Sequence, residues 1–138
     1  MGKIRNYFLI KKYPWLQCRN VWSGEKLGYD FTWLDDMPKG WRKAFGMDMV
    51  KEIDDILGDY RNEYQISQIK EKYGSLRWYD NGAPENIYEG LCKIIDEYEE
   101  ISKHTCLMCG KYGEIDYNES WYMPLCDNCR RKMNDRKL

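Results

Sequence analysis

The sequence predicts an α+β protein with two main amphipathic helices, a central β-hairpin and a C-terminal, treble-clef-like zinc module built on four cysteines. Three observations carry this. Apolar residues recur at three- and four-residue spacing from Trp41 to Leu57 and again from Ile87 to Ile101, the period of a helix with one buried face. Between these segments, Leu76 and Trp78 alternate with Arg77 and Tyr79, the period of a strand. Beyond them stand two Cys-x-x-Cys pairs, separated by sixteen residues. A chain of 138 residues is expected to form a mixed body over 1–103 and a zinc module over 104–138 packed on it, together one folding unit.

The first segment, Lys3 to Cys18, mixes lysines with Tyr7, Phe8, Leu9, Ile10, Tyr13, Trp15 and Leu16, and Pro14 interrupts any helix there. Ser23-Gly24 and Leu27-Gly28 are turn signals. Phe31, Trp33 and Leu34 form a short strand or turn ending at Asp35-Asp36, and Met37-Pro38-Lys39-Gly40 is a loop. The first helix runs from about Gly40 to about Gly58, with Trp41, Phe45, Met49, Ile53, Ile56 and Leu57 on its apolar face. Gln65 to Tyr79 is the hairpin, turning at Tyr73-Gly74-Ser75. Ile66 and Ile69 break strict alternation, which calls for a bulge or a twist. Asn81-Gly82 closes the unit. The second helix runs from Pro84 to about Ser102 on a stripe of Ile87, Leu91, Ile94, Ile95, Tyr98 and Ile101.

Trp and Tyr number 6 and 12 against 3 Phe, so many buried rings carry a polar atom that needs a partner. A half-wet aromatic cluster or a binding face follows. Lys+Arg is 22 and Asp+Glu 23, for a net charge of −1; four thiolates around one zinc ion make it about −3. Nucleic-acid binding by bulk electrostatics is not expected. No apolar run approaches a membrane span and no leader is evident, so a cytosolic setting is expected. In that setting six cysteines read as metal ligands or spare thiols before disulfides.

Cys106-Leu-Met-Cys109 and Cys126-Asp-Asn-Cys129 are the strong motif. Each Cys-x-x-Cys turn sets two sulfurs at the bite of a tetrahedral ion, and two turns fill all four positions. The predicted metal ligands are therefore Cys106, Cys109, Cys126 and Cys129, around a structural Zn2+; iron is the other metal four thiolates bind. A redox dithiol is less well matched, because the surrounding pattern is not thioredoxin-like. Gly110 suits a tight knuckle, Glu114–Tyr117 and Trp121–Met123 can pair around Asn118, and a terminal helix follows Cys126. Cys92 falls on the apolar side of the second helix and reads as core; Cys18 has no assigned role. His104 reads as a cation at a helix C-terminus rather than a fifth candidate ligand.

Phosphate-loop, dinucleotide and His-Glu-x-x-His signatures do not occur, the deaminase pattern lacks its His-x-Glu half, and one histidine leaves little room for a triad. No enzyme, and no small-molecule substrate, is expected. Two acidic faces are candidate partner surfaces: Asp48, Glu52, Asp55 and Asp59 on the first helix, and Glu89, Asp96, Glu97 and Glu100 on the second. Solvated acidic faces are common, and that reading stands beside the functional one. The basic tail, Arg130, Arg131, Lys132, Arg136 and Lys137, either satisfies a helix dipole or touches phosphates.

Lys12-Tyr-Pro-Trp-Leu through Met37-Pro-Lys-Gly-Trp-Arg-Lys-Ala-Phe-Gly46, and Gln68-Ile-Lys-Glu-Lys-Tyr-Gly-Ser-Leu-Arg-Trp-Tyr79 followed by the paired cysteines, together resemble a family of small uncharacterised zinc-binding proteins of Firmicutes phages and prophages. The resemblance spans nearly the whole chain. Such sequences often have Pro where Cys18 stands, which implies that this cysteine is dispensable. The resemblance implies a phage accessory protein, and some small zinc-bearing phage proteins of streptococcal type look like inhibitors of the type II CRISPR nuclease. The expectation is an anti-CRISPR protein that binds a host nuclease stoichiometrically, its acidic faces set against a positive channel and exposed rings as anchors. The rival expectation is a zinc module acting as a phage transcription regulator through Arg77-Trp78-Tyr79, Arg130, Arg131 and Lys132; a virion assembly protein is a third.

Overall fold

The computed structural model describes residues 2–136. Its elements are helix α1 (Lys3–Lys12), a helical run made of α2 (Lys39–Trp41), a π turn (Arg42–Gly46) and α3 (Met47–Leu57), strands β1 (Ile66–Lys72) and β2 (Ser75–Asp80), helix α4 (Glu85–Ser102), strands β3 (Glu114–Ile115) and β4 (Pro124–Leu125), and helix α5 (Asp127–Arg136). The two strand pairs are separate antiparallel ladders. The α+β class and the C-terminal four-cysteine cluster are as the sequence predicts. Among the described residues no helix is long and apolar enough to cross a membrane.

Helix α1 is an addition to the two main helices and the terminal helix expected. Lys11 and Lys12 oppose its negative end, and it stops where Tyr13 precedes Pro14. Only Asn6 and Ile10 are buried on it. Its apolar run Tyr7-Phe8-Leu9-Ile10 wraps around the cylinder rather than forming a stripe, so periodicity does not reveal it.

The helix expected from Gly40 begins one residue earlier and changes pitch on the way. Trp41, Phe45, Met49, Ile53 and Leu57 are all buried, at a strict four-residue interval. In a regular α-helix each such step overshoots a full turn by about 40°. The wider π turn at Arg42–Gly46 takes up part of that drift and keeps Trp41 and Phe45 facing the same core as Met49 and Ile53.

The hairpin contains the bulge its sequence calls for. Ile66 pairs with Asp80 but Gln68 pairs with Tyr79, so Ser67 is the extra residue. The bulge lets Ile66 and Ile69, three residues apart, both point into the core. The turn is the two residues Tyr73 and Gly74, with φ of 53° and 84°, and Ser75 already belongs to β2.

One aromatic cluster ties these parts together. Trp15 meets Tyr64 and Trp78 edge-on, with ring centroids 5.6 and 6.2 Å apart. Each buried polar atom has its partner: Trp15 Nε1 donates to Asp54 Oδ1 at 3.0 Å, Trp78 Nε1 to the Tyr64 hydroxyl at 2.9 Å, and that hydroxyl to Asp80 Oδ2 at 2.7 Å. This is the polar-tipped cluster that an excess of Trp and Tyr implies.

Two expectations for α4 need correction. Ile101 is exposed, because the stripe turns away from the body at the last helical turn. Cys92 is only half-buried and lines a shallow surface groove with Tyr88 and Asp96, so it is not a core residue.

Candidate metal centre

The four predicted ligands converge. One ligand atom from each of Cys106, Cys109, Cys126 and Cys129 lies within 4.8 Å of all the others, and the Cys109 and Cys126 sulfurs are 3.6 Å apart. A tetrahedral zinc–thiolate cage, with bonds of about 2.3 Å, has sulfur–sulfur edges of about 3.8 Å. The cysteines form no disulfide. Cys106 and Cys109 lie on the knuckle, Cys126 immediately precedes α5, and Cys129 sits in its first turn.

The donor set fits a cation. Burial opposes ionisation of Cys106, but backbone N–H groups of Cys126, Cys109 and Met108 outweigh it and hold the thiol low. Cys129 shifts the opposite way, raised by burial and by the sulfurs of Cys126, Cys106 and Cys109. Four thiolates this close repel one another, and a dication among them removes the repulsion. All four positions of a tetrahedron are then protein sulfur, with none open for water or substrate.

The knuckle closes through Cys106 N–H donating to Lys111 O at 2.7 Å and Gly110 N–H to Cys106 O at 3.0 Å. The predicted partner strand shifts: β3 pairs with Pro124–Leu125, not with Trp121–Met123. The cause is the knuckle itself, because Leu107 N–H donates to Pro124 O at 2.9 Å and draws that segment in. Trp121 and Tyr122 are left exposed in the loop. Arg130 fastens this loop to α5: its guanidinium donates to Glu114 O at 2.8 Å and Met123 O at 3.3 Å and pairs with Glu119 at 3.0 Å.

His104 lies outside the sulfur cluster. Its Nδ1 is 2.8 Å from Glu114 Oε1, its ring stacks on Tyr112, and Glu100 is 3.6 Å from Nε2. The hydrogen bond to Glu114 raises its pKa. It follows the end of α4, as a cation there should, but its partners are side chains.

Three residues outside the cysteine motif seat this centre on the body. Gly40 N–H donates to Leu107 O at 2.7 Å, Trp41 Nε1 donates to Thr105 O at 2.8 Å, and the Gly74 turn abuts Ile115 and Tyr122. A Cβ at Gly74 would lie 2.9 Å from Tyr122 O. Gly40-Trp41 and Tyr73-Gly74 are far apart in the sequence. Their turn chemistry is visible in the sequence; their shared neighbour is not.

The acidic candidates are only partly brought together. Asp48, Glu52, Asp55, Glu89, Asp96, Glu97 and Glu100 are exposed on α3 and α4. The Tyr98 hydroxyl of α4 donates to Glu52 Oε2 of α3, and burial, Glu52, Asp48 and Glu97 all disfavour its ionisation. Asp59 is not on the helix but in a 3-10 turn, Gly58–Asn62, beyond it. Glu100 is engaged by Lys103 at 3.0 Å and by His104. Of the residues named for nucleic acid, Arg77 pairs with Glu99 at 2.8 Å, Trp78 is buried, and Arg130 is engaged as described. Arg131, Lys132 and Arg136 are exposed on α5, and Lys137 lies outside the described residues.

Comparison with known proteins returns no match: no family model, no curated protein and no solved structure matches this chain.

Proposed function

We propose that this chain is a non-enzymatic phage accessory protein, braced by a structural zinc ion, that docks on a basic surface of a host defence nuclease in the host cytosol, with a type II CRISPR effector as its target. The observation that supports a protein-binding role is the α3–α4 seam, where Glu52 and Tyr98 are hydrogen bonded and Asp48 and Glu97 bear on the same hydroxyl. The Tyr98 ring is buried, and the exposed carboxylates around its hydroxyl, Asp48, Glu52 and Glu97, complement a lysine- or arginine-rich surface. The closed sulfur cage supports zinc as a brace, because a catalytic zinc keeps a position open. The target nuclease rests on the family resemblance alone. The regulator reading has less support, since two of its cations are in ion pairs and its Trp78 is buried.

The test is capture of purified, guide-loaded type II nuclease by the zinc-loaded chain, beside a target-cleavage assay. The expected result is stoichiometric capture that weakens with salt and falls at least about tenfold in an Asp96→Lys/Glu97→Lys variant, the cost of placing like charges in an interface. Capture indifferent to the charge reversal would remove the acidic seam from this reading. Absence of both capture and inhibition would remove the nuclease.

A further inference from the structure

We infer that a groove beside the metal centre, lined by Arg5, Lys39, Arg42 and Lys43, binds the phosphate backbone of a single-stranded nucleic acid. This site is independent of the proposed nuclease target. The groove holds about 450 Å³, and its apolar lining includes Leu34 and Phe45, both buried. The four cations come from α1, the start of α2 and the π turn. Arg42 is paired with Asp35 at 3.4 Å, while Arg5, Lys39 and Lys43 make no ion pair among the described residues. Among the described residues that line the groove, Asp48 is the one carboxylate, and Asp35 reaches it only through its pair with Arg42.

Charge is segregated here in a way the chain total of −1 conceals. Acids gather along the α3–α4 seam, and unneutralised cations gather in the adjoining groove, with Asp48 at the boundary. Unpaired like charges in one concavity repel until an anion enters it. The pitch change contributes directly, because the π turn carries both Arg42 and Lys43. Such interruptions in helices recur at functional sites.

The shape selects among anions. The groove is of small-ligand size, and a flexible strand can bend its phosphates into it. A duplex holds its phosphates along a fixed, stiff helical path and cannot fold several of them into one concavity of this size. A positively charged groove that tracks a backbone is the usual solution for single strands bound without base readout.

The experiment is fluorescence anisotropy of a labelled 12-nucleotide oligothymidylate with the zinc-loaded full chain over a range of salt. With three or four phosphates contacted, the slope of log K against log salt should be about −2 to −3, at about −0.7 per contact. Lys39→Glu/Lys43→Glu should weaken binding at low salt at least tenfold and flatten the slope by about 1.4. Both side chains are exposed, and a carboxylate suits the helix start at position 39, so the variant should fold with full zinc content. Arg131→Glu/Lys132→Glu, on the exposed face of α5, should bind as wild type. The inference is overturned by no binding at low salt, by an equal loss in the α5 variant, by tighter binding of the matching duplex, by displacement of the strand with millimolar inorganic phosphate, or by preference for anionic phosphatidylserine vesicles.

Discussion

Gly40 donates its backbone N–H to the carbonyl of Leu107 at 2.7 Å, and a methyl group at position 40 would fall 2.1 Å from the Cys106 carbonyl oxygen. The start of the long helical run is therefore laid directly on the knuckle that carries the first cysteine pair. Gly110 completes the contact from the other side, with φ of 84° and space for a Cβ only 2.7 Å from Gly40 O. Backbone, not side chain, forms this joint, and neither partner can retreat without moving a cysteine.

Gly40→Ala should therefore lower stability by about 1–3 kcal/mol or more, the range for forcing extra volume into a packed site. It should also weaken metal retention. Gly28→Ala is the control: its Cβ meets nothing within 4 Å, so its effect should stay within about 0.5 kcal/mol. Thermal unfolding with zinc quantification checks both. Equal stability of the two variants would contradict the joint.

Cys109→Ser should lower zinc content and destabilise the C-terminal third, because binding energy at such a site is folding energy. A strong chelator should act on the wild-type chain in the same direction. Zinc analysis and hydrogen exchange over residues 104–136 provide the measurement. Unchanged stoichiometry and melting would sink the assignment. Cys92→Ser, at the surface groove of α4, should leave zinc content at the wild-type level.

Asp54 accepts from Trp15 Nε1 at 3.0 Å and from Arg61 Nε at 3.0 Å, so one carboxylate serves a buried indole and a half-buried guanidinium. Asp54→Ala leaves both donors without it and should cost about 1–3 kcal/mol. Urea unfolding should show a lower midpoint at an unchanged slope. A shift below about 0.5 kcal/mol would mean that water replaces the carboxylate.

Burial first, then Asp36 and Asp35, push the Cys18 thiol up to about 11 from 9.0. The folded chain holds this proton more tightly than the unfolded chain does. The thiol therefore contributes stability that is fully present below pH 9.0 and is lost as pH climbs from there through about 11. Cys18→Ala should remove that part of the alkaline loss while leaving the metal centre intact. Unfolding of both proteins at neutral and alkaline pH provides the comparison, and parallel curves would refute the shift.

The two main helices, the hairpin with its bulge and the four-cysteine cluster are legible in the residues alone. Their causes are local: an apolar period, Ile66 and Ile69 three apart, and a Cys-x-x-Cys bite that sets sulfur geometry within one turn. Other features depend on which backbones approach each other across the fold. Helix α1 has no apolar stripe, and its stability comes from what Asn6 and Ile10 meet. Strand β4 falls at Pro124–Leu125 because the Leu107 amide claims Pro124. Gly40 and Gly74 read as ordinary turn residues until the cysteine knuckle is packed against the first and β3 with its loop against the second. Charge behaves in the same way. Composition reports a near-neutral chain, and only the packing of α1, the π turn, α3 and α4 sorts it into an acidic seam and a basic groove, because electrostatic interaction depends on distance in space and not on position along the chain.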